Sequence, residues 1–491
     1  MDIVSRFRRA ARCHADRLFL CDSESRVTYA EANEVSGSVA ADLQARGCSN
    51  GQTVAFAVAD SVSLWTAIIG TWKIGALPAL IDSRIAASER SYHVQDVSAD
   101  IVVTVAEREQ EFLDAGAREV VLLENLGGTC VGQDVGGHGA QSPLYLSYTS
   151  GTTGQPKGVI LLSEPVTLGT ACIGDRLGLS CLDLLLATTP ASSSFQLVSA
   201  LMPAIGAGAA VCLASGLSID SLWAVADEMA ASILVAYPLT LSDMVGTSHG
   251  RRSSFRLALS GGSPLAPRLK EDYRRILGID LLESYGQSEM GGFMAMGRQG
   301  QSGASPGSVG PSLPDRLAYV GGEGGAELEP GQVGEVLVEQ GYFDHYQNKP
   351  RETAQATTGG VLHTGDLGVA DELGDLRVLG RIREADNAKR RGVFLREVED
   401  LYYQHPEVRH AVVVESSEAQ IEAFVELQRG AGTSANQLTD HVATRIPIRS
   451  GLQRTTVLEK MPRTLSGKAD RLTLSSRLHI GALPSGQGSE A

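Results

Sequence analysis

A short segment, residues 148–159, carries the residue types that bind phosphate groups. It reads YTSGTTGQPKGV, with three glycines, four Thr or Ser hydroxyls and one lysine. Glycine lets backbone N–H groups approach a ligand closely, the hydroxyls add donors, and Lys157 adds a point positive charge. Apolar residues alternate before the segment and run on after it, which predicts a strand on each side. The segment is therefore predicted to be a loop between two strands that binds a triphosphate.

Two other interpretations of this loop account for fewer of its residues. A flexible Gly/Ser/Thr linker needs neither the lysine nor the flanking strands. A Walker-type loop requires Gly, four residues, and then Gly-Lys-Ser/Thr at the start of a helix. The order from Gly154 to Gly158 does not fit that pattern, and Pro156 argues against a helix at this point.

The loop resembles the phosphate loop of the adenylate-forming superfamily, which contains acyl-CoA synthetases, the adenylation domains of peptide synthetases, and luciferases. The resemblance covers the whole loop, and further motifs in the same order extend it over essentially the full chain. It implies ATP as the nucleotide. It also assigns ATP contacts, with Thr149 as a catalytic residue, to Thr149, Ser150, Gly151, Thr152, Thr153, Gly154 and Lys157.

Composition narrows the class of protein. The chain has 491 residues, of which 43% are hydrophobic and 20% charged, as in a globular protein of two to four domains or subdomains. A net charge of −15 argues against nucleic acid as the main partner. Seven cysteines without a CxxC pair are typical of a reducing compartment, and no apolar run is long enough for a membrane span. A cytoplasmic protein is expected.

The order of patterns predicts an α/β fold. Residues 1–140 alternate helical and strand patterns, which predicts a mostly parallel sheet covered by helices. Pro78 restricts the strand at 76–81 to a sheet edge or a strand start. Glycine-bounded strands over 307–380 predict a β-rich subdomain. The resemblance implies a hinge at Arg383, and so a large AMP-binding domain over 1–382, a small mobile α+β domain over 383–480, and a disordered tail over 481–491.

The segment LLESYGQSEMGG, residues 281–292, resembles the family motif Tyr-Gly-x-Thr/Ser-Glu. The resemblance implies that Tyr285 stacks on the adenine and that Glu289 binds Mg²⁺. It also implies that Ser288 donates a hydrogen bond to the α-phosphate and that Glu283 accepts one from the adenine amino group. Ser284 and Gly286 are its remaining nucleotide contacts. Without the resemblance, the segment would be a surface turn with one acidic residue.

The acid-binding positions follow from two further motifs. In ATTPASSSFQLVSALMPAIGAGAAVCLA, the position that family members use to select their acid falls on Phe195-Gln196 or on Ser194, and no carboxylate is available there. An α-amino acid is disfavoured because a buried ammonium needs an anionic partner. The strand-turn LALSGGSPL resembles the family's glycine turn between acid and nucleotide. The predicted substrate pocket is Ser194, Phe195, Gln196 and Tyr237, and the resemblance places Gly261 and Gly262 beside it as nucleotide contacts.

Three later residues complete the predicted site. The resemblance assigns Asp366 of HTGDLG and Arg381 to the ribose hydroxyls. It assigns Lys468 of MPRTLSGKADRL to catalysis, where an ammonium can bridge the substrate carboxylate and the α-phosphate. The segment after the hinge departs from the family pattern. Lys389-Arg390 stands where glycine usually lines the thiol tunnel, and Leu395 stands where proline is usual.

Three functions are compatible with the sequence. The predicted one is an acid–CoA ligase that activates a small, non-amino carboxylic acid with ATP and Mg²⁺, releases pyrophosphate, and passes the acyl group to CoA in a biosynthetic pathway of secondary metabolism. The second is an adenylating ligase with another acceptor, such as an amine or a carrier-protein thiol, or with a different acid such as nitrite. The third is a nucleotide-binding protein without turnover, against which the intact Lys468 and Glu289 argue.

Overall fold

The computed structural model describes residues 2–127, 139, 141–149, 156–248, 250–251, 253–300, 307–415, 420–447 and 450–479. The predicted tail over 481–491 lies outside them. The helices are α1 Ile3–Cys13, α2 Tyr29–Ala45, α3 Val62–Lys73, α4 Ala87–Val97, α5 Glu109–Asp114, α6 Ser163–Leu177, α7 Ser194–Gln196, α8 Met202–Ala207, α9 Ile219–Glu228, α10 Pro238–Gly246, α11 Pro267–Asp272, α12 Pro350–Ala356, α13 Ala385–Arg391, α14 Leu395–Tyr403, α15 Ala435–Ala443 and α16 Arg471–His479. None of these helices, within the described part of the chain, combines the length and apolar character needed to cross a bilayer.

The strands form four sheets. Their bounds are β1 Leu18–Cys21, β2 Arg26–Thr28, β3 Thr53–Phe56, β4 Leu77–Leu80, β5 Ile101–Thr104, β6 Val120–Leu122, β7 Pro143–Thr149, β8 Lys157–Leu162, β9 Leu184–Ala187, β10 Ala210–Leu213, β11 Ile233–Ala236, β12 Leu257–Ser260, β13 Asp280–Tyr285, β14 Ala295–Met296, β15 Ser308–Pro311, β16 Ala318–Gly321, β17 Gly334–Val338, β18 His345–Tyr346, β19 Leu362–Ala370, β20 Asp375–Arg381, β21 Val408–Glu415, β22 Ile421–Leu427 and β23 Leu452–Leu458.

Two of the sheets are largely parallel. One has the strand order β18-β8-β7-β4-β3-β5-β6, and the other has the order β14-β13-β12-β11-β9-β10-β1-β2. In the second sheet the strands from β13 to β1 run parallel, and every residue of β9, β10, β11 and β12 is buried. Strands buried on both faces are typical of parallel sheets covered by helices. The predicted α/β fold is confirmed.

The other two sheets form the later part of the chain. The predicted β-rich subdomain is the antiparallel sheet β15-β20-β19-β17-β16. The small C-terminal domain contains β21, β22 and β23 with helices α13 to α16, and its own apolar core includes Val398, Tyr402 and Val413. The predicted pairing of a large N-terminal and a smaller C-terminal domain is also confirmed.

Pro78 lies inside a sheet rather than at its edge, because β4 is flanked by β3 and β7. Proline has no N–H to give to a neighbouring strand. Pairing with β7 begins only at Ala79, so Pro78 precedes the part of β4 that is paired on both sides. Of the two positions that the sequence allowed, the strand start is right and the edge is wrong.

Close packing of α2 against α3 at Gly70 gives a first prediction. A Cβ atom at Gly70 would lie 2.7 Å from Val39 Cγ1 and 2.8 Å from the Ser36 carbonyl oxygen. Gly70→Ala is therefore expected to lower the free energy of unfolding by about 1–3 kcal/mol, because overpacking outweighs the better helix propensity of alanine. Thermal unfolding followed by circular dichroism measures the change.

Gly37→Ala on the facing helix is the matched control for this measurement. The nearest atom to its added Cβ is Lys73 Nζ at 3.8 Å, which is ordinary contact. This variant should match the wild type or gain up to about 1 kcal/mol. A Gly70→Ala protein that melts at or above the wild-type temperature would show that the two helices do not pack as closely as described.

Candidate active site

Eleven of the predicted site residues line one cleft of about 1000 Å³ between the N-terminal domain and the Lys468 segment of the C-terminal domain. Five of the predicted residues, Ser150, Gly151, Thr152, Thr153 and Gly154, lie outside the described residues. Those that line the cleft are Thr149, Lys157, Ser194, Phe195, Tyr237, Gly262, Gly286, Ser288, Glu289, Arg381 and Lys468.

The carboxyl ends of parallel strands bring these residues together. Thr149 ends β7 and Tyr285 ends β13, while Tyr237 follows β11 and Gly261 follows β12. Asp82, which the sequence analysis did not single out, follows β4 and also lines the cleft. Open parallel sheets bind ligands beyond the carboxyl ends of their strands.

Helix α4 holds both ends of the phosphate loop. Tyr148, just before the loop, donates its hydroxyl to Asp96 Oδ2 at 2.9 Å, and Tyr92 donates its hydroxyl to the Pro156 carbonyl oxygen at 2.7 Å. Next to these two contacts, Thr149 at the end of β7 and Lys157 at the start of β8 are paired across the two strands. No motif marks Tyr92 and Asp96 in the sequence, because their partners are more than 50 residues away.

Lys157 and Glu289 meet at Tyr346. Lys157 Nζ lies 4.8 Å from the centre of the Tyr346 ring, a cation–π contact. The Tyr346 hydroxyl donates a hydrogen bond to Glu289 Oε1 at 2.8 Å. Burial and the Glu289 carboxylate raise the pKa of Tyr346, which therefore stays a donor at neutral pH. The second Glu289 oxygen accepts no side-chain hydrogen bond from the described residues, and a metal ion could take that position.

The predicted ribose residues are also brought together. Arg381 and Asp366 are partners across β19 and β20, and Arg381 Nε lies 3.0 Å from Asp366 Oδ1. The other carboxylate oxygen accepts from the Tyr285 hydroxyl and from Gln287 Nε2, each at 2.6 Å. Gln287 is a missed residue. It is the variable position of the Tyr-Gly-x-Ser-Glu motif, and it lines the cleft directly in front of Asp366.

Lys468 enters the cleft from the C-terminal domain at a tight turn. The Thr464 N–H donates to the Lys468 carbonyl oxygen at 2.8 Å, and the Gly467 N–H donates to the Thr464 carbonyl oxygen at 2.9 Å. Lys468 Nζ lies 5.2 Å from the centre of the Tyr237 ring. Burial, together with the charge of Arg381, lowers the pKa of Lys468. The ammonium is therefore in a position where an anionic ligand would stabilise it.

Gly262 makes room for that lysine. Its φ angle is +73°, and a Cβ atom there would lie 2.7 Å from Tyr237 Cε1 and 3.2 Å from Lys468 Cε. A side chain at this position would be strained and would also crowd the lysine.

Three aromatic rings form the predicted acid-binding end. The ring centres of Phe195 and Tyr237 are 5.3 Å apart, and those of Phe195 and Phe293 are 5.6 Å apart. A Cβ at Gly261 would lie 2.5 Å from both Phe195 Cε2 and Ser284 Oγ. The Phe195 ring therefore lies directly against the Gly261 backbone, and little space remains for a large acyl group at this point.

Three consecutive serines connect the predicted acid-binding end by hydrogen bonds to three different parts of the cleft lining. Ser192 donates to Asp82 Oδ2 at 2.8 Å, the Ser193 and Tyr237 hydroxyls are 2.6 Å apart, and the Ser194 and Ser288 hydroxyls are 3.1 Å apart. The sequence indicated no carboxylate near these serines, and Asp82 corrects that. Its charge is already paired with Arg84, at 2.7 Å. It therefore does not by itself favour an ammonium-bearing substrate.

Two predicted residues face away from the cleft. Gln196 is fully buried and donates to Asp60 Oδ2 at 2.6 Å. Glu283 pairs with Lys270 Nζ at 2.8 Å and accepts from the Leu265 N–H at 3.2 Å. A buried carboxylate needs such partners, and the sequence motif did not reveal that α11 supplies one. Neither side chain is available to contact a substrate or an adenine as expected.

Comparisons with known proteins identify the family of this chain. A family model described as "AMP-binding enzyme" matches residues 7–342, and a second, described as "AMP-binding enzyme C-terminal domain", matches residues 397–468. Similar proteins include an indoleacetate–CoA ligase from Aromatoleum aromaticum, 26% identical over 91% of this chain and 92% of that protein. Another is a 4-coumarate–CoA ligase from Narcissus pseudonarcissus, 26% identical over 94% of this chain and 91% of that protein.

Solved structures share the fold. A benzoate CoA ligase from Burkholderia xenovorans LB400 superimposes with a TM-score of 0.88 at 20% identity, covering 97% of this chain and 100% of that one. O-succinylbenzoate CoA synthetase from Bacillus subtilis, in complex with AMP, gives 0.83 at 24% identity, covering 96% and 97%. The chain belongs to the AMP-binding enzyme family, within the adenylate-forming superfamily. It is an ATP-using, adenylate-forming ligase of the acid–CoA ligase class.

The environment of Lys468 predicts the pH dependence of the reaction. If the ammonium form of Lys468 is needed, activity is lost as the pH rises through the pKa of Lys468. Because this pKa is lowered, the loss occurs at a pH below about 10.4, the pKa of a free lysine. The profile of kcat/KM for ATP should show this alkaline limb, and the profile of kcat should show it at higher pH because bound phosphates favour the ammonium. In Lys468→Arg the limb should move to higher pH, since a guanidinium does not deprotonate in this range. An identical limb in that variant would assign it to another group.

Proposed function

We propose that this enzyme activates a small, non-amino carboxylic acid as an acyl-adenylate, with release of pyrophosphate, and then transfers the acyl group to CoA. The observation that carries the first step is the position of Lys468. Its ammonium lies beside Tyr237 and Gly262 in the cleft that Thr149, Lys157 and Ser288 also line. A cation at this place can bind the acid and the α-phosphate together.

ATP is proposed to lie along the cleft between these groups. The phosphate loop and Lys157 would hold the triphosphate, while Tyr285 would lie against the adenine. Asp366 and Arg381 would bind the ribose hydroxyls. The described contacts support this, because Asp366 is fixed by Tyr285, Gln287 and Arg381 before any ligand binds. A preorganised acceptor loses little entropy when the ribose arrives.

Magnesium is the proposed metal, and the residues present fit it. Glu289 is a hard oxygen ligand, and Tyr346 orients its carboxylate through one oxygen while the other takes no side-chain hydrogen bond from the described residues. When bound, the ion would neutralise phosphate charge. Lys157, on the far side of the Tyr346 ring, would add to the same neutralisation.

Attack of the acid on the α-phosphorus needs positioning and charge neutralisation more than a general base, because a carboxylate is already ionised at neutral pH. The described residues suit this. Lys157, Lys468 and Arg381 supply positive charge, and Ser288 supplies a hydroxyl. Phe195, Tyr237 and Phe293 form an apolar end that excludes water from the acid. Their close packing favours a small acid.

CoA is the proposed acceptor, and the relatives' names support it. For the second step we propose that the C-terminal domain, residues 383–480, turns about Arg383 relative to residues 1–382, so that Lys468 leaves the cleft and the acceptor enters. Arg383 is exposed and lines the cleft, which suits a hinge position.

One observation favours an acceptor other than CoA. The segment after Arg383 is the helix α13 and ends with Lys389, Arg390 and Arg391. A helix with bulky cations replaces the glycine-bearing hairpin that the family resemblance implies for the pantetheine arm. An amine or a carrier-protein thiol is therefore the second candidate.

Pyrophosphate release over a panel of small aromatic and aliphatic acids tests both candidates. Each acid is assayed with ATP and Mg²⁺, alone and with CoA, simple amines or a loaded carrier protein. We expect acid-dependent release and, with CoA, a thioester detected by mass spectrometry. Acid-dependent release without thioester would exclude CoA as the acceptor. The absence of release with every acid would contradict adenylation itself.

Replacing Lys468 separates catalysis from nucleotide binding. Lys468→Ala should lower the rate of adenylate formation by at least about 100-fold, because a charge that stabilises the transition state is lost. ATP affinity, measured by calorimetry, should stay within about threefold, because the loop, Asp366 and Arg381 are intact. Unchanged turnover in Lys468→Ala would remove the lysine from the mechanism.

A further inference from the structure

One carboxylate of the N-terminal domain contacts three basic side chains of the C-terminal domain. Asp243 lies on α10. Its Oδ2 accepts a hydrogen bond from Arg463 Nη2 at 2.6 Å, and its Oδ1 accepts one from Arg409 Nη2. His410 Nε2 lies 3.7 Å from Oδ1. Only 15% of the Asp243 side chain is exposed, so these pairs are largely shielded from solvent.

The charge state of Asp243 suits this contact. Burial on its own would raise the pKa of Asp243, but His410, Arg463 and Arg409 lower it below the ordinary value. The carboxylate is therefore ionised at neutral pH. A partly buried carboxylate with two guanidinium partners is bound more firmly than a surface ion pair, which solvent screens.

Arg463 connects Asp243 directly to the turn that carries Lys468. It lies five residues before Lys468 and forms a β-bridge with Ala469, the residue just after Lys468. The turn between them is closed by the hydrogen bonds of Thr464 and Gly467 described above. Arg463 and Ala469 thus form the base of the turn, directly next to the Thr464–Lys468 pair that closes it.

A second route from Asp243 reaches the same turn. Arg409 also contacts Glu426 Oε1, at 3.3 Å, and Glu426 Oε2 accepts from the Met461 N–H at 2.6 Å. Met461 is two residues before Arg463. Both oxygens of Asp243 therefore connect, through different arginines, to the start of one short segment.

We propose that Asp243 is a positioning residue, which through Arg463 and Arg409 holds the 461–469 segment so that Lys468 lies in the cleft. This inference rests on the proposed role of Lys468 in adenylate formation. It adds a function for α10, which contributes no catalytic group. In the structure Asp243 connects the two domains while Lys468 lies in the cleft, so the clamp is expected to favour this arrangement over one in which the C-terminal domain has turned.

Three side chains of this cluster could also suggest a metal site. Ligand atoms of Asp243, His410 and Glu426 lie within 4.8 Å of one another. A divalent cation there would meet the charges of Arg409 and Arg463 at contact distance, which opposes its binding. The arginine clamp is the interpretation that accounts for all the contacts, and zinc is included in the test below.

Hydrogen–deuterium exchange tests the clamp without any substrate. In Asp243→Asn, the peptide covering 461–469 should exchange at least about threefold faster than in the wild type, because a neutral amide cannot hold two guanidinium groups. Asp227→Asn is the matched control. Asp227 lies on α9, pairs with Arg251 at 3.1 Å in an exposed position, and should leave the exchange of this peptide unchanged.

Kinetics test the consequence for catalysis. Asp243→Asn and Arg463→Gln should each lower kcat for adenylate formation by about tenfold, with KM for ATP within about twofold, because the lysine is misplaced while the ATP contacts remain. The double variant should be no worse than Asp243→Asn alone, since Asp243→Asn already removes the contact that Arg463→Gln removes. Transfer from a preformed acyl-adenylate to the acceptor should be unimpaired.

The outcomes separate this inference from the proposed function. Folded Asp243→Asn and Arg463→Gln proteins with wild-type exchange at 461–469 would overturn the clamp, and Arg463→Gln alone decides if the aspartate variant does not fold. Faster exchange together with an active Lys468→Ala would keep the clamp and reject the role of the lysine. Thermal stabilisation of the wild type by Zn²⁺ that EDTA reverses and that Asp243→Asn lacks would overturn the clamp in favour of a metal site.

Discussion

The site depends on one partly buried ammonium that has no anionic partner among the described residues. Lys468 lies against the Tyr237 ring and near the like charge of Arg381, and no described carboxylate stabilises it. Two buried carboxylates of the described residues, by contrast, have cationic partners: Glu283 pairs with Lys270 and Asp366 with Arg381. An uncompensated cation is costly. In the proposed mechanism the substrate carboxylate and the α-phosphate offset that cost together in the transition state, so the lysine serves catalysis more than ATP binding.

The rest of the fold serves to keep that lysine and its ligands in one place. Strands from both parallel sheets end near the cleft, so Thr149 and Tyr237 come from distant segments yet line a common space. In the proposed mechanism the N-terminal domain binds the nucleotide, but it has no lysine of its own on the acid side of the cleft among the described lining residues. The C-terminal domain supplies that lysine, and the proposed clamp at Asp243 would make the chemistry depend on the contact between domains.

The sequence allowed prediction of features that depend on neighbouring residues and not of those that depend on distant ones. Alternating patterns and glycine positions were enough for the parallel sheets, the β-rich subdomain and the strands β7 and β8, because each pattern is local. Gln287, Asp82 and Tyr346 escaped notice because their partners lie 57 to 110 residues away. The side chain of Glu283 was predicted to face the adenine, and its ion pair was missed for the same reason. Its motif is intact, but Lys270 of α11 pairs with the Glu283 carboxylate and fixes the orientation of that side chain.

The proposed acceptor bears on the segment after Arg383, where the sequence departs from the family pattern that the resemblance implies, and the backbone of that segment matters more than its charge. Arg391 is buried against Glu415 and is explained by packing. Lys389 and Arg390 are exposed in the last turn of α13, where cations are favoured by the helix dipole, so neither needs an anionic ligand to account for it.

The charges of these residues do not explain why the segment is helical. A pantetheine arm needs a narrow passage lined by backbone, and helical residues with long side chains close such a passage unless the segment refolds or turns away. If CoA is the acceptor, the movement that withdraws Lys468 must therefore also reshape or displace α13, whereas an amine small enough to enter the existing cleft would need only the release of the lysine.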